Sequence, residues 1–200
     1  MARRSAADAA ATRSTILATA RAMFAARGYA DTGARDIAAA AGVTVGALFH
    51  HFGSKGGLFR AVFEQLNREM AEVLVKAYVS VVTTDPIEAM IVGLRAALSF
   101  AGRPDFHRVI AIDGPVVLGA EEWHAIDARM GLAIVESSVK NLKRAGLIGD
   151  QPTLPLAILL MGAMNNAGFA LARGDPKVDV EALLDAYRNL VQGLTPRPGK

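Results

Sequence analysis

The chain contains no cysteine. Disulfides, thiolate metal sites and a cysteine nucleophile are therefore excluded, and the composition fits a reducing compartment. Histidine is scarce at four residues, and aromatic residues make up only 6%. No Ser-His-Asp order and no glycine-rich phosphate loop can be found, so no enzyme signature emerges. Glu121, His124 and Asp127 stand at i, i+3 and i+6 and read as a solvated helix face rather than as metal ligands. No metal and no cofactor are expected. Strand-like alternation and internal repeats are also missing, so the chain reads as all-α.

One long stretch lacks charge. Residues 151–172 hold none in 22 positions, the length of a membrane span. Pro152, Pro155, Asn165 and Asn166 argue against a span, and a helix buried between subunits explains the run better. The segment MARRSAADAAATRS has three arginines but no apolar stretch, unlike a secretory signal. A cytoplasmic protein with no membrane partner is expected.

Apolar residues are plentiful, at 52% of 200, enough for a sizeable core. Charge is unevenly placed. Residues 1–60 carry eight Lys/Arg against three acids, whereas residues 61–200 carry 14 against 16. A basic N-terminal module on a slightly acidic body suits counterion release from phosphates.

Within the basic module, residues 32–55 organise the chain. Ile37, Ala38 and Ala41 fall on one helical face, and Gly42 follows as a stop. Thr44 is placed to cap a second helix over residues 45–50. Two short helices around a glycine turn make a helix-turn-helix, whose second helix enters the major groove. A first helix over residues 13–27 precedes them, with Ile16, Leu17, Ala20, Met23 and Phe24 as its apolar stripe. Residues 1–11 read as a frayed tail, or else as an arm bringing Arg3 and Arg4 to DNA.

At these residues the sequence resembles the tetracycline-repressor-like (TetR) family of bacterial transcriptional regulators. The likeness is carried by Gly28-Tyr29, Thr32, Ile37-Ala38, Ala41-Gly42-Val43, Gly46-Ala47-Leu48-Phe49, His51-Phe52 and Ser54-Lys55. It covers roughly residues 12–63. The resemblance implies two domains: a helix-turn-helix DNA-binding domain over residues 1–60, and a helical ligand-binding and dimerisation domain over residues 61–200. It also implies double-stranded DNA with a palindromic operator, a small-molecule effector and a second copy of the chain as partners.

The DNA-binding candidates follow from that likeness. Arg35 is the best-placed cation on the first helix of the pair. Thr44, Val45, Gly46 and Ala47 open the reading helix, where Val45 and Ala47 offer methyl contacts to thymine. Phe49 stands where the family more often has a tyrosine. His50 faces the groove, His51 lies near a phosphate, and Lys55 occupies the first turn after the Ser54 cap. Leu48 and Phe52 are expected to point inward. Gly33 replaces the usual capping hydroxyl, with Asp36 able to bond back to its amide. Gly56-Gly57 replaces a pair in which an acid is common.

The body reads as further helices over residues 58–81, 86–101, 105–113, 121–144, 152–173 and 178–194, with a loop at 114–119 and a loose tail at 195–200. Asp85 and Pro86 form a capped start. Met90, Leu94, Phe100, Phe106, Trp123, Met130 and Met164 are candidates to line an effector cavity, with Asn165 as a polar hook. An apolar or amphipathic effector is expected. Gly162, Asn166 and Phe169 on one helix, and Leu183, Leu184, Tyr187 and Leu190 on the next, are the candidate dimer interface. Two rival readings remain: a helical small-molecule-binding module with weak or lost DNA binding, and a helical enzyme using the His124 region.

Overall fold

The structure, a computed structural model, describes residues 6–80, 83–174 and 176–194. Arg3, Arg4 and the tail 195–200 lie outside the described residues, as does the side chain of Met130. Every regular element among the described residues is helical. In order they are α1 (Ala6–Arg27), α2 (Ala34–Ala40), α3 (Val45–Phe52), α4 (Lys55–Ser80), α5 (Pro86–Ala101), α6 (Pro104–Phe106), a π-helix (His107–Asp113), α7 (Gly114–Leu118), α8 (Ala120–Arg144), α9 (Thr153–Ala172) and α10 (Val180–Gln192).

Two differences from the sequence reading have local causes. Helix α1 is already formed at Ala6 rather than starting near Arg13, because the alanine-rich segment propagates a helix well. Residues 114–118 are helical rather than a loop. Pro115 sits in the first turn, where its missing N–H matters least, and the turn ends at Gly119.

Helix ends are built as their residues dictate. Gly42 takes φ 68°, and Val43 N–H reaches Ala38 O at 2.9 Å while Gly42 N–H reaches Ala39 O at 3.1 Å. That pair of bonds is a Schellman motif, which only a residue tolerant of positive φ can close cheaply. Thr44 caps α3 by accepting from Ala47 N–H at 3.1 Å. Asp85 caps α5 by accepting from Ile87 N–H at 2.8 Å, with Pro86 at the first position.

The chain divides into two compact units. The first is Met1–Leu66 with Pro104–Trp123; the second is Asn67–Arg103 with His124–Lys200. The expected boundary near residue 60 falls inside α4. Residues 104–123, which follow α5 in sequence, pack with the N-terminal module.

The core of the first unit holds Ile16, Ala20, Phe24, Ile37, Leu48, Leu58, Phe59 and Phe63, each fully buried. Phe24, Phe59 and Tyr29 stack edgewise or tilted at 5.2–5.8 Å between centroids, a favoured aromatic geometry. Segment 104–123 is tied in by ion pairs. Arg21 donates to Asp105 through Nε at 2.9 Å and Nη2 at 2.7 Å. Asp113 accepts from Tyr29 N–H at 2.8 Å and from Arg108 Nε at 3.3 Å. Trp123 Nε1 donates to Ile110 O at 2.9 Å. A Cβ on Gly114 would lie 2.8 Å from both the Phe63 and Trp123 rings, so these aromatics close over bare backbone.

In the second unit α5, α9 and α10 pack together, with Ile91, Leu94, Leu98, Val139, Leu142, Leu160, Leu184 and Val191 in the core. Arg188 bridges α10 to Glu88 of α5 at 2.9 Å, and Arg95 pairs with Glu181. Such exposed pairs each add little, so apolar burial carries this unit.

Candidate nucleic-acid interface and effector cavity

Leu48 orients the reading helix. It is fully buried, which turns the opposite side of α3 outward. Thr44, Gly46 and His50 are exposed, Phe49 is 42% exposed, and Val45, Ala47 and His51 are half-buried at the flanks. The outward face is therefore small at its start and aromatic at its end. Phe52 differs from expectation: it is half-buried rather than core, with the Arg13 guanidinium 4.9 Å from its ring centroid. The two histidine rings stay within 5.6 Å edge to face, although their side chains leave the helix in different directions.

Arg35 is exposed on α2 and pairs with no carboxylate among the described residues. Gly33 caps α2 through an extended backbone (φ −81°, ψ 145°) without a side-chain bond. The reciprocal bond expected from the Gly33 amide to Asp36 is not formed. Asp36 Oδ2 instead occupies the space 2.8 Å from where a Gly33 Cβ would stand. At the start of α4, Ser54 Oγ accepts from Gly57 N–H at 3.0 Å. Lys55 Nζ rests 4.1 Å from the Tyr29 ring centroid, a cation–π contact that holds the ammonium beside the helix N-terminus. A Cβ on Gly57 would meet Phe52 O at 2.1 Å, so the α3–α4 turn requires glycine there. An acid at this position would force the turn open.

The second unit contains a cavity lined by Leu74, Tyr78, Ala89, Met90, Gly93, Leu94, Ile134, Val135, Ser138, Met164 and Tyr187. Its room for water is about 30 Å³, enough for one or two molecules. Of the residues expected here, Met90, Leu94 and Met164 line it. Phe100 is buried elsewhere in the unit, with Arg103 over its ring at 4.6 Å. Asn165 is engaged away from the cavity, donating to Asp127 Oδ2 at 2.7 Å. Phe106 and Trp123 belong to the first unit. Gly93 and Tyr187 were missed as lining residues; a glycine in mid-helix and a tyrosine on a buried stripe were the available signals.

The expected interface residues also separate. Leu184 and Tyr187 are 1% and 6% exposed, buried in the core of the second unit, and Leu183 is half-buried. These three follow the apolar stripe that holds α10 to its own unit. Leu190 is 50% exposed, Gly162 and Asn166 are exposed, and Phe169 is half-buried. Leu154, Ile158 and Leu159 of α9 are 47%, 52% and 70% exposed. Helix α9 is long and apolar enough to cross a membrane by length and composition, and only 22% of that stretch is buried within the chain.

A capped helix-turn-helix on a basic module, joined in sequence to an all-helical unit, defines the architecture of a helix-turn-helix transcriptional regulator. The comparisons agree. The family model described as "Bacterial regulatory proteins, tetR family" matches residues 16–62, and that of the "Tetracyclin repressor-like, C-terminal domain" matches residues 87–194. A TetR-family transcriptional regulator of known structure from Pectobacterium atrosepticum is 35% identical, with a TM-score of 0.77 over 98% of this chain and 100% of that one. The HTH-type transcriptional repressor Rv1474c of Mycobacterium tuberculosis is 28% identical over 92% of this chain and 94% of its own length. The HTH-type transcriptional regulator TtgR of Pseudomonas putida is 39% identical, but the match spans only 45% of this chain and 42% of that protein. The chain belongs to the TetR family of bacterial transcriptional regulators.

Proposed function

We propose that the protein is a cytoplasmic, homodimeric repressor that binds a palindromic operator through α2 and α3 and leaves it when a small apolar or amphipathic molecule enters the second unit. The carrying observation is the outward face of α3. Leu48 anchors the helix, Thr44 caps it, and Gly46 with its small neighbours lets backbone approach base edges closely. Hydrogen-bonding side chains are few on that face, so methyl contacts and DNA shape supply much of the specificity. Arg35, His51 and Lys55 serve phosphates.

The exposed apolar face of α9, with Leu190 of α10, supports pairing with a second copy. Gly162 and Asn166 sit in that face and permit close approach. A dimer would set two reading helices roughly 34–36 Å apart, one turn of DNA. Effector release requires the molecule to bind the DNA-free arrangement more tightly than the DNA-bound one.

Selection of bound sequences from random duplexes, followed by titration at several salt concentrations, tests this reading. A palindrome whose affinity falls steeply with salt is the expected result. Weak binding indifferent to sequence would leave a small-molecule-binding module as the function.

A further inference from the structure

The cavity in the second unit carries an unmet chemical demand. Tyr187 lines it and is only 6% exposed, yet its hydroxyl finds no hydrogen-bond partner among the described residues. Buried hydroxyls are nearly always paired, because an unpaired one forfeits its bonds to water without replacement. The other polar groups at the cavity are already engaged. Ser138 Oγ donates to Ile134 O of its own helix at 3.2 Å, and the Tyr78 hydroxyl meets the Asn141 amide. No charged side chain among the described residues lines the space.

Gly93 adds a second observation. It sits in the middle of α5, where glycine is a poor helix former, and a Cβ built there meets nothing within 4 Å. The missing side chain is part of the cavity. Met90 and Met164 flank it, and unbranched thioethers shift rotamer readily, so the space can widen around a guest larger than water.

We infer that the cavity accepts a neutral, largely apolar molecule bearing one oxygen that takes a hydrogen bond from the Tyr187 hydroxyl. A charged ligand would lose its hydration with no counter-charge to meet it. A pure hydrocarbon would leave the hydroxyl unpaired. Burial pushes the Tyr187 phenol up from its ordinary range, so the group stays a proton donor at physiological pH. The inference rests on the reading that this unit takes a small effector, and adds the chemistry of that effector.

Calorimetric titration of the full-length protein tests it with three matched series: alkyl phenyl ketones, n-alkylbenzenes of the same length, and phenylalkanoates. Ketones are expected to bind the wild type more tightly than the hydrocarbons, and the carboxylates not to bind. Tyr187→Phe should weaken the best ketone about tenfold, leave its hydrocarbon partner unchanged, and keep or raise the melting temperature. Gly93→Leu should abolish binding of both by filling the space.

Equal binding of ketone and hydrocarbon to the wild type, or tight binding of a carboxylate, would overturn the assigned chemistry while leaving an effector cavity in place. Binding that ignores Gly93→Leu would place the guest elsewhere and overturn the inference. No binding in any series would remove the effector reading too, with water the only guest. Should Tyr187→Phe fail to fold, the ketone–hydrocarbon comparison in wild type and Gly93→Leu still decides.

Discussion

Asp113 accepts the backbone N–H of Tyr29 at 2.8 Å, although 84 positions separate the two residues. The same carboxylate takes Arg108 Nε at 3.3 Å, and a Cβ on Gly28 would stand 2.0 Å from the Arg108 guanidinium. Gly28 adopts φ 80°, so the turn after α1 both needs positive φ and offers bare backbone to the arginine. The π-helix thereby closes over the turn that leads into the helix-turn-helix. Its wide i→i+5 winding is a form often found at functional sites.

Removing that carboxylate should loosen the N-terminal module. Asp113→Ala leaves a backbone N–H and a guanidinium without their acceptor, at a cost of about 1–3 kcal/mol. Chemical denaturation of the purified protein measures the loss. A midpoint equal to wild type would mean that water replaces the carboxylate freely.

Arg35 is exposed and engages no carboxylate among the described residues, so its role is read in binding rather than stability. Arg35→Ala should weaken binding to all duplexes alike and lower the salt dependence by about one released ion per site. Titration of the selected operator and of a scrambled duplex at several salt concentrations checks this. A loss confined to one base position would assign Arg35 to base reading instead.

The two glycines at the start of α4 should behave oppositely. A Cβ at Gly57 meets Phe52 O at 2.1 Å, whereas one at Gly56 finds its nearest atoms at 3.7 and 3.8 Å. Gly57→Ala is expected to destabilise the protein by about 1–3 kcal/mol and weaken DNA binding, because backbone must move. Gly56→Ala should be neutral or slightly stabilising. Thermal melts of both variants, alongside operator titration, separate them.

Gly93 offers a gain of stability at the expense of the cavity. Gly93→Ala should stabilise α5 by up to about 1 kcal/mol, since the helix improves and the methyl meets open space. The denaturation midpoint would rise while any guest binds less tightly. A lower midpoint would show that the surrounding side chains already fill the space in solution.

Asp127 is the group to watch with pH. Burial raises its carboxyl above the ordinary range, against the opposing hydrogen bond from Asn165 and the His124 charge. A carboxyl raised in the folded state binds its proton more readily there than in the unfolded chain. Its contribution is therefore most favourable when protonated, and is lost as pH climbs past its ordinary range through the raised value. Asp127→Asn keeps an oxygen acceptor for Asn165 and removes the charge. It should raise stability at neutral pH, with the advantage shrinking in acid. Denaturation curves at both conditions test the sign; an unchanged neutral midpoint would show the charge to be well solvated.

Much of the fold was written in local pattern. The caps at Thr44 and Asp85, the stop at Gly42, the stripe from Ile16 to Phe24 and the helical class all follow from interactions within a few residues, which sequence spacing exposes directly. The motif that marks the reading helix is legible for the same reason, since its chemistry lies in consecutive side chains. Long-range choices were not legible. That Asp105 and Asp113 fasten residues 104–123 to α1 and the turn after it, that Leu184 and Tyr187 face the core of their own unit, and that Asn165 turns to Asp127 each depend on which elements meet in space. Apolar stripes look alike in sequence whichever neighbour buries them, and a buried hydroxyl reveals its missing partner only once the helices around it are packed.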